Sequence, residues 1–398
     1  MSKERRTAVI HDWLVIPGGA ERVLSEIFAS VPDADVYAIV DFLSSLQRQA
    51  LGLGQINTSF IQRLPLAKSY YWYYAPLMAL AVEQFDLSKY DLVISSSYAF
   101  AKGVVVGPEQ LHISYVHSPL RFVWDLQSYY FDRFGWRVGI KRLMASIAFH
   151  YLRYWDIRTA NSPDLMICPS DFIRRRIYRV YRRPSIVVYP PIDTRRFSFQ
   201  SRKEKYYLTG SFMNPFKALD VIVEAFRESP ERRLIVIGSG PDCDRIKGKA
   251  GPNVQFVGRV SDEDLVHYMQ SARAFLFAAP EDFGMIMAEA QSCGTPVIAY
   301  GIGGALEIIR DLSASRPTGV FFSTHSTPAI LDAVELFEAN SFSISPESCR
   351  QNALRFDASI FQANIRRVIE TSWQFWSSRR TVPDVQDLQA GLFTTGNI

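Results

Sequence analysis

Long hydrophobic runs are missing from this 398-residue chain, in which no apolar stretch approaches the roughly 18 residues that a membrane-spanning helix needs. The first six residues lead directly into a strand-like segment, without the apolar region of a signal peptide. These two absences argue against a membrane-spanning or secreted protein. We therefore expect the chain to stay in the cytoplasm.

Cysteine is also scarce, and the four cysteines (Cys168, Cys243, Cys293 and Cys349) show no C-x-x-C spacing. Their scatter argues against a structural zinc site and against a disulfide framework. No D-x-D cluster stands at a position where a metal ion would bridge phosphates. We expect neither a metal nor a cofactor, and we expect the cysteines to be small buried residues.

Residues 131–183 concentrate positive charge in a chain whose formal net charge is only +4. They hold twelve arginines and lysines against four aspartates. Apolar residues at helical spacing predict one long helix over 136–158, with a stripe formed by Val138, Leu143, Ile147 and Tyr151. The aromatic residues of the basic segment include Trp136, Tyr151, Tyr154, Trp155, Tyr178 and Tyr181. Such a basic excess favours an anionic partner, either a nucleic acid or an acidic membrane.

Short apolar runs alternate with helical stretches along the chain, which indicates parallel sheets wrapped by helices. The runs in the first half are Val36–Val40, Leu92–Ser95, His112–Val116 and Leu165–Cys168. Because proline restricts itself and the residue before it, Pro190-Pro191 predicts a domain boundary. We expect domains over 1–190 and 191–362, a C-terminal helix at about 363–381 that returns to the first domain, and a disordered tail over 382–398.

The segment from Pro280 to Glu289 has the most specific pattern in the chain. It follows a buried strand-like run, Arg273–Ala278, and a helix is predicted from Gly284. Glu281 therefore falls in the loop at the carboxyl end of a strand, and Glu289 falls on the helix. Ligands of open α/β sheets bind at this edge, where the N–H groups of a helix N-terminus favour a phosphate.

The pattern E-D-F-G-x-x-x-A-E over residues 281–289, followed by G-T-P and by further glycines over 294–304, resembles the E-x7-E signature of the retaining glycosyltransferases of family 4. The resemblance extends over essentially the whole chain. It implies an α/β chain of GT-B fold, with two Rossmann-like, doubly wound parallel-sheet domains facing each other across a cleft. It also implies a nucleotide-sugar donor, with Glu281 against the donor sugar as a catalytic residue and Glu289 on the ribose hydroxyls.

Other positions would complete the donor site if the resemblance holds. They are Phe283, Gly284, Met285 and Ile286 at the helix start, Val260 near the base, Gly18 and Gly19 in the first glycine loop, and Lys217 at the diphosphate. The family usually has an arginine six residues before this lysine, and here that position is Ser211. We therefore expect another cation, Arg259 or Arg121, to compensate.

His117 follows a predicted strand and opens the segment H-S-P-L-R-F-V-W-D. A lone histidine is more often a structural residue, but this segment resembles the H-T-P-x-R-x-x-W-D segment of a mannosyltransferase-like branch of family 4. The resemblance makes His117 a candidate catalytic residue that hydrogen-bonds the donor sugar or the incoming acceptor hydroxyl. Arg121, Trp124 and Asp125 would then lie on the acceptor side.

Together these patterns predict a retaining hexosyltransferase of bacterial surface-polysaccharide assembly (O-antigen, capsule or exopolysaccharide). GDP-mannose is the favoured donor, and a lipid-linked saccharide is the expected acceptor. The basic segment is then expected to rest on the anionic inner face of the cytoplasmic membrane, and no nucleic acid is expected as a partner. Two alternatives stay open: a glucosyltransferase that uses UDP- or ADP-glucose, and an inactive GT-B protein that only binds nucleotide. The patterns do not predict an oligomeric state.

Overall fold

Two units make up the computed structural model, which describes residues 5–133, 135–136 and 138–393. One unit consists of Met1–Pro191 with Phe361–Ile398, and the other of Ile192–Ile360. The chain leaves the first unit at Pro190-Pro191, where proline rings stop the last strand from continuing.

The first unit is built on a seven-stranded parallel sheet. Its strands are Thr7–Leu14 (β1), Asp35–Asp41 (β2), Ile56–Thr58 (β3), Leu92–Ser97 (β4), Leu111–Val116 (β5), Leu165–Cys168 (β6) and Ile186–Val187 (β7). Their order in the sheet is β3-β2-β1-β4-β5-β6-β7, so the direction of strand addition reverses between β1 and β4. In open α/β sheets such a reversal opens a crevice at the carboxyl ends of the two strands.

Helices cover both faces of this sheet. They are Gly19–Ser30 (α1), Ser45–Ala50 (α2), Ala67–Tyr70 (α3), Ala75–Glu83 (α4), Arg121–Trp124 (α5), Gln127–Arg133 (α6), Ile140–Thr159 (α7) and Asp171–Tyr181 (α8). Successive side chains of β1 alternate between the two cores: Val9 packs with α1 on one face, whereas Ala8 and Ile10 pack with α4 and α7 on the other. The continuous apolar run of β1 follows from this burial on both faces.

The second unit repeats the arrangement with six parallel strands. They are Tyr206–Gly210 (β8), Arg233–Ile237 (β9), Val254–Gly258 (β10), Ala274–Phe277 (β11), Val297–Tyr300 (β12) and Gly319–Phe322 (β13), in the order β10-β9-β8-β11-β12-β13. Its helices are Leu219–Arg227 (α9), Cys243–Lys247 (α10), Asp262–Ser271 (α11), Met285–Ser292 (α12), Ala305–Ile308 (α13), Thr327–Ala339 (α14) and Pro346–Leu354 (α15). Here the strand order reverses between β8 and β11. The predicted α/β class with two Rossmann-like parallel sheets is confirmed.

Two C-terminal helices, Ala358–Arg379 (α16) and Val385–Phe393 (α17), lie on the first unit. The second of them differs from the predicted disordered tail, since it is a helix with Leu388 and Leu392 buried. It also covers the edge strand β7: the Val187 N–H donates to Gln389 Oε1 at 2.6 Å, and the Gln389 amide donates back to the Val187 carbonyl at 3.2 Å. An edge strand gains from such cover, because its backbone groups are otherwise unpaired. Residues 394–398 lie outside the described residues.

Helix α7 carries two apolar faces instead of the single stripe that the sequence suggests. Its residues Leu152 and Trp155 are buried against the sheet. The predicted stripe members Leu143, Ile147 and Tyr151 point outward and are 48–61% exposed. The expectation that all six aromatic residues of the basic segment lie on the surface is wrong for two of them, Trp155 and Tyr181, which are buried.

The cysteines fit their predicted role in three of four cases, since Cys168, Cys293 and Cys349 are buried and Cys243 is half-buried. In the part of the chain that the structure describes, no helix has the length and apolarity to cross a membrane.

Candidate active site

Lys217 and Glu281 meet at the point where the strand order of the second sheet reverses. Strand β8 leads to a short 3-10 turn, Pro215–Lys217, and its neighbour β11 leads to Glu281. The Lys217 ammonium and the Glu281 carboxylate form an ion pair, in which the two side chains are 20% and 17% exposed. The Lys217 Nζ also lies 5.8 Å from the centroid of the Phe277 ring. The fold thus brings a predicted phosphate-binding cation and a predicted catalytic carboxylate to one ligand edge.

Glycines hold the loop that carries Glu281. Gly303 has a φ of +72°, and a Cβ there would lie 2.3 Å from the Glu281 carbonyl oxygen. That oxygen accepts a hydrogen bond of 2.9 Å from the Gly304 N–H. Any side chain at position 303 would therefore displace the backbone of Glu281.

Helix α12 begins beside this loop. Gly284 precedes the helix with a φ of +96°, and the first backbone bond runs from the Met287 N–H to the Gly284 carbonyl at 2.9 Å. The N–H groups of Met285 and Ile286 lie in the first turn, where an α-helix has no internal acceptor for them. They are placed as the predicted diphosphate site requires.

Glu289 and Phe283 are both buried next to this helix start, at 5% and 3% exposure. The Phe283 ring packs edge to face on Phe356 at 5.2 Å, so this side chain supports the loop. Glu289 lies on α12, one turn beyond Met285. The predicted role of Glu289 at a ribose stays a prediction.

A second glycine loop follows β9 and lies against the loop that follows β8. A Cβ at Gly238, whose φ is +122°, would lie 2.1 Å from the Ser211 carbonyl oxygen. Ser211 itself brings no positive charge to this loop. Arg259, one candidate for the missing cation, is exposed after β10, two strands from β8 in the sheet. Val260 is half-buried in the same turn.

In the first unit, His117 ends a chain of polar side chains at the carboxyl ends of β1, β4 and β5. Its Nε2 lies 2.9 Å from the Ser96 hydroxyl, which lies 3.1 Å from Nδ1 of His11. The Nε2 of His11 is 3.8 Å from the Glu21 carboxylate, and that carboxylate accepts the Gly18 N–H at 2.9 Å. The predicted His117 and the predicted glycine loop are thus connected through buried groups.

Burial lowers the pKa of His117 to about 3, and the neighbouring His11 lowers it further. Both effects disfavour the charged imidazolium. His117 is therefore neutral at physiological pH. Because Ser96 engages its Nε2, Nδ1 is the ring nitrogen left for a ligand.

The other residues of the His117 segment have structural partners. The Trp124 indole N–H donates to the buried Asp156 carboxylate at 2.8 Å, where Lys102 and Tyr181 also bind. Asp125 is exposed and forms an ion pair with Arg176. Arg121 is half-buried at the start of α5. Their acceptor-side role stays a prediction.

Sequence reasoning missed three residues of the first unit: His11, Glu21 and Ser96. A signal existed for Glu21, because a glutamate three residues after the residue preceding a helix commonly accepts that residue's N–H. Nothing local marks His11 and Ser96, which meet only when β1 and β4 pair. Across the described residues, no group of three or more histidine, cysteine, aspartate or glutamate side chains is placed to hold a metal ion.

Comparison with known proteins agrees with this geometry. Residues 17–196 match the model of Glycosyltransferase Family 4, and residues 192–356 match the model of Glycosyl transferases group 1. A D-inositol 3-phosphate glycosyltransferase of Nocardioides is 28% identical over 218 residues, which cover 44% of this chain and 46% of that protein. A phosphatidyl-myo-inositol mannosyltransferase of Mycobacterium tuberculosis is 25% identical over 225 residues, 52% of this chain and 59% of that protein. The chain spans about half the length of these curated relatives.

Among solved structures, Anabaena HepE in complex with UDP and glucose superimposes with a TM-score of 0.67. The alignment covers 92% of this chain and all of HepE at 17% identity. A likeness at this identity shows the fold alone. Through the two adjoining family matches and this fold, the chain belongs to the family 4 glycosyltransferases of GT-B fold.

Proposed function

We propose that this protein transfers a hexose from a nucleoside-diphosphate sugar to a hydroxyl acceptor, with retention of configuration at the anomeric carbon. The observation that carries the proposal is the pairing of Lys217 with Glu281 beside the N-terminus of α12. A phosphate-binding cation, free helix N–H groups and a carboxylate at one sheet edge suit a donor whose sugar and diphosphate are adjacent.

In the proposed reaction, the bond between the anomeric carbon and the diphosphate oxygen breaks while the acceptor oxygen bonds to the same face of the sugar. The acceptor proton passes to the leaving phosphate, so no enzyme nucleophile is required. Lys217 and the N–H groups of Met285 and Ile286 offset the charge that develops on the diphosphate. Glu281 orients a sugar hydroxyl and offsets the positive charge at the anomeric carbon.

The ion pair in the ligand-free protein has a consequence for this scheme. Lys217 must exchange part of its contact with Glu281 for the donor phosphate, which releases the carboxylate to the sugar. Donor binding then sets both groups in their reactive positions. His117, a neutral imidazole, is assigned to the donor sugar or the acceptor hydroxyl as a hydrogen-bonding group.

For the donor we favour GDP-mannose, on the H-S-P-L-R-F-V-W-D segment and the mannosyltransferase among the relatives. One observation favours a second candidate, UDP-glucose, because HepE was solved with UDP and glucose. For the acceptor we favour a lipid-linked saccharide presented at an anionic membrane. The basic residues of α8 and the exposed apolar residues of α7 support this choice, since both suit a headgroup surface.

Thermal denaturation of the full chain with GDP, UDP, ADP and their mannose or glucose conjugates tests the donor. A ligand at 100 times its dissociation constant stabilises the native state by about 2.7 kcal/mol, which gives a clear shift of the midpoint. We expect GDP-mannose to give the largest shift. Stabilisation by UDP-glucose with no response to GDP-mannose would select the second candidate.

A transfer assay separates the enzyme from an inactive nucleotide-binding protein. Membrane lipid extracts serve as acceptors, and radiolabelled sugar that enters the organic phase is counted. Glu335→Gln provides the control, because Glu335 is an exposed glutamate on α14 of the same unit. Nucleotide binding without any transfer, in extracts that support a related transferase, would contradict the proposal.

A further inference from the structure

A cavity of about 910 Å³ lies within the first unit, between helix α7 and the aromatic segment 71–78. Nine of its seventeen lining residues are aromatic, and Trp13, Trp72 and Trp136 are among them. Within the described residues, Lys141 is the one charged side chain of the lining. The volume is that of a ligand site, for which roughly 300–1,000 Å³ is usual. The donor scheme above makes no use of this cavity.

The lining suits a hydrocarbon chain better than a sugar or a nucleotide. Within the described part of the chain, no carboxylate or amide side chain borders the cavity, so the groups that commonly hold sugar hydroxyls are not supplied. The deep wall is formed by buried or half-buried apolar residues such as Phe100, Phe149 and Leu152. Apolar surface of this kind favours a ligand that leaves water.

The mouth of the cavity is continuous with an exposed apolar surface. Three lining residues are themselves exposed: Trp72 at 46%, Tyr73 at 57% and Met144 at 64%. On α7 the exposed apolar residues Ile140, Leu143, Met144, Ile147 and Tyr151 follow helical spacing and form one stripe. A water-soluble ligand has no need of such a rim, whereas a chain that comes from a bilayer crosses one.

Positive charge stands at the same rim. Lys141 is exposed at the start of α7, and exposed Lys68 lies one turn before Tyr71 of the lining. An ammonium group beside an apolar cavity matches a phosphate attached to a long hydrocarbon. The chemistry of the rim and the cavity together describes a lipid phosphate.

We propose that this cavity binds the hydrocarbon chain of a polyisoprenyl or acyl phosphate and that Lys141 holds the phosphate. The inference rests on the proposed function, because it identifies the lipid half of the lipid-linked acceptor. The acceptor would then be held at its lipid end by the first unit while its saccharide is free to react. A second copy of the chain, or simple adhesion of the surface to a bilayer, is the competing occupant that the experiment separates.

Titration of the full chain with geranylgeranyl phosphate, followed by the fluorescence of the lining tryptophans, tests the proposal. Filling the cavity with Ala148→Phe should lower the affinity at least tenfold. Lys141→Met should lower the affinity for the phosphate to that for geranylgeraniol, without changing the affinity for the alcohol. Leu143→Lys, on the exposed stripe but outside the lining, should keep the probe affinity within twofold while it weakens binding to phosphatidylglycerol vesicles.

Equal loss of probe binding in Ala148→Phe and Leu143→Lys would overturn the proposal in favour of surface adhesion. A dimer whose sedimentation is unaffected by the probe would overturn it in favour of a second copy. Should Ala148→Phe fail to fold, a chain with a nitroxide at its far end must quench tryptophan more strongly than one labelled near the phosphate. The titration contains no nucleotide, so its outcome is independent of whether the proposed transferase activity is found.

Discussion

The two sheets place different chemistry at the same topological position, the reversal of strand order. In the second unit this position holds a partly exposed ion pair, Lys217 with Glu281. In the first unit it holds uncharged or shielded groups, His117, Ser96 and His11, joined by hydrogen bonds of 2.9 and 3.1 Å. One site is suited to bind charge, and the other is suited to hold a neutral group in a fixed orientation.

This difference explains why the two regions were not equally visible in the sequence. Charged ligand-binding residues stand in loops next to glycines, where a local pattern such as E-x7-E survives in the linear order. A buried polar chain is assembled from single residues of three strands that only the sheet brings together. The predictions below test whether the two regions also differ in what they do.

The largest effect is expected for Glu281→Gln. The neutral amide keeps the shape of the side chain and removes the charge that offsets the developing positive charge at the anomeric carbon. We expect kcat to fall by roughly 10² or more with donor affinity little changed, since this interaction is made in the transition state. Steady-state transfer kinetics and donor binding by calorimetry measure the two quantities.

The exposed Glu335→Gln variant is the matched control for that substitution and should leave both quantities unchanged. Glu289→Gln gives the contrasting pattern, a raised donor KM with kcat near its original value, because ribose contacts stabilise ground and transition states alike. The assignment of Glu281 fails if its variant keeps kcat and loses donor affinity instead.

Lys217→Met should lower kcat/KM by about 10- to 100-fold, which is 1.4 to 2.7 kcal/mol of transition-state binding. Loss of the cation weakens both the diphosphate contact and the pairing with Glu281. Lys217→Arg should recover part of the loss, because the positive charge remains.

A double variant of Lys217 and Glu281 sharpens the point. If the two residues act as a pair, the combined loss in kcat/KM will be smaller than the product of the single losses. Full additivity would mean that the ion pair of the ligand-free protein has no part in the reaction.

Much of the fold could be predicted, since β6 matches its predicted bounds and β2, β4, β5 and β11 lie within three residues of theirs. Parallel strands buried on both faces leave continuous apolar runs that are hard to miss. Helix α17 was missed because its stability depends on tertiary contacts: Leu388 and Leu392 enter the core, and Gln389 pairs with β7. Nothing in a short polar segment reveals such a docking site.

The outward stripe of α7 was misread for a related reason. Helical spacing identifies an apolar face but not what covers it, and on α7 the buried face is a different set of residues. In the candidate site, Lys217 and Glu281 were found through the family pattern. Glu21 and Ser96 were not, because their partners lie far away in sequence.

Stability against acid provides a third test of the first unit. Burial lowers the pKa of both His112 and His117 to about 3, below the value near 6.5 expected in the unfolded chain. The unfolded state therefore binds protons first as the pH falls, and the stability that is full above pH 6.5 decreases below it. Between pH 6.5 and 5.5 we expect a loss of roughly 1 kcal/mol per histidine in the free energy of unfolding.

Urea denaturation at the two pH values measures this loss. His112 has both ring nitrogens bonded, to Ser95 at 2.9 Å and Ser162 at 3.3 Å, so it serves the fold alone. His117→Gln should remove about half of the pH dependence and most of the transfer activity. An unchanged pH dependence in that variant would show that His117 is not held neutral by burial.

The smallest effect is expected for Ser96→Ala, which separates a positioning residue from a structural one. The Ser96 hydroxyl lies between His117 and His11, so its loss leaves the His117 ring without its 2.9 Å partner. We expect kcat to fall by roughly threefold to tenfold with the donor KM unchanged, because only the orientation of His117 is affected. Ser95→Ala is the matched control: Ser95 is also fully buried, but its hydroxyl binds His112 and Ser114. That variant should lower the thermal midpoint and leave kcat as it was, and Ser96→Thr, which keeps a hydroxyl, should recover most of the lost kcat. If Ser95→Ala and Ser96→Ala lower kcat equally, the hydrogen bond to His117 has no special part in transfer, and the first unit holds its histidine by packing alone.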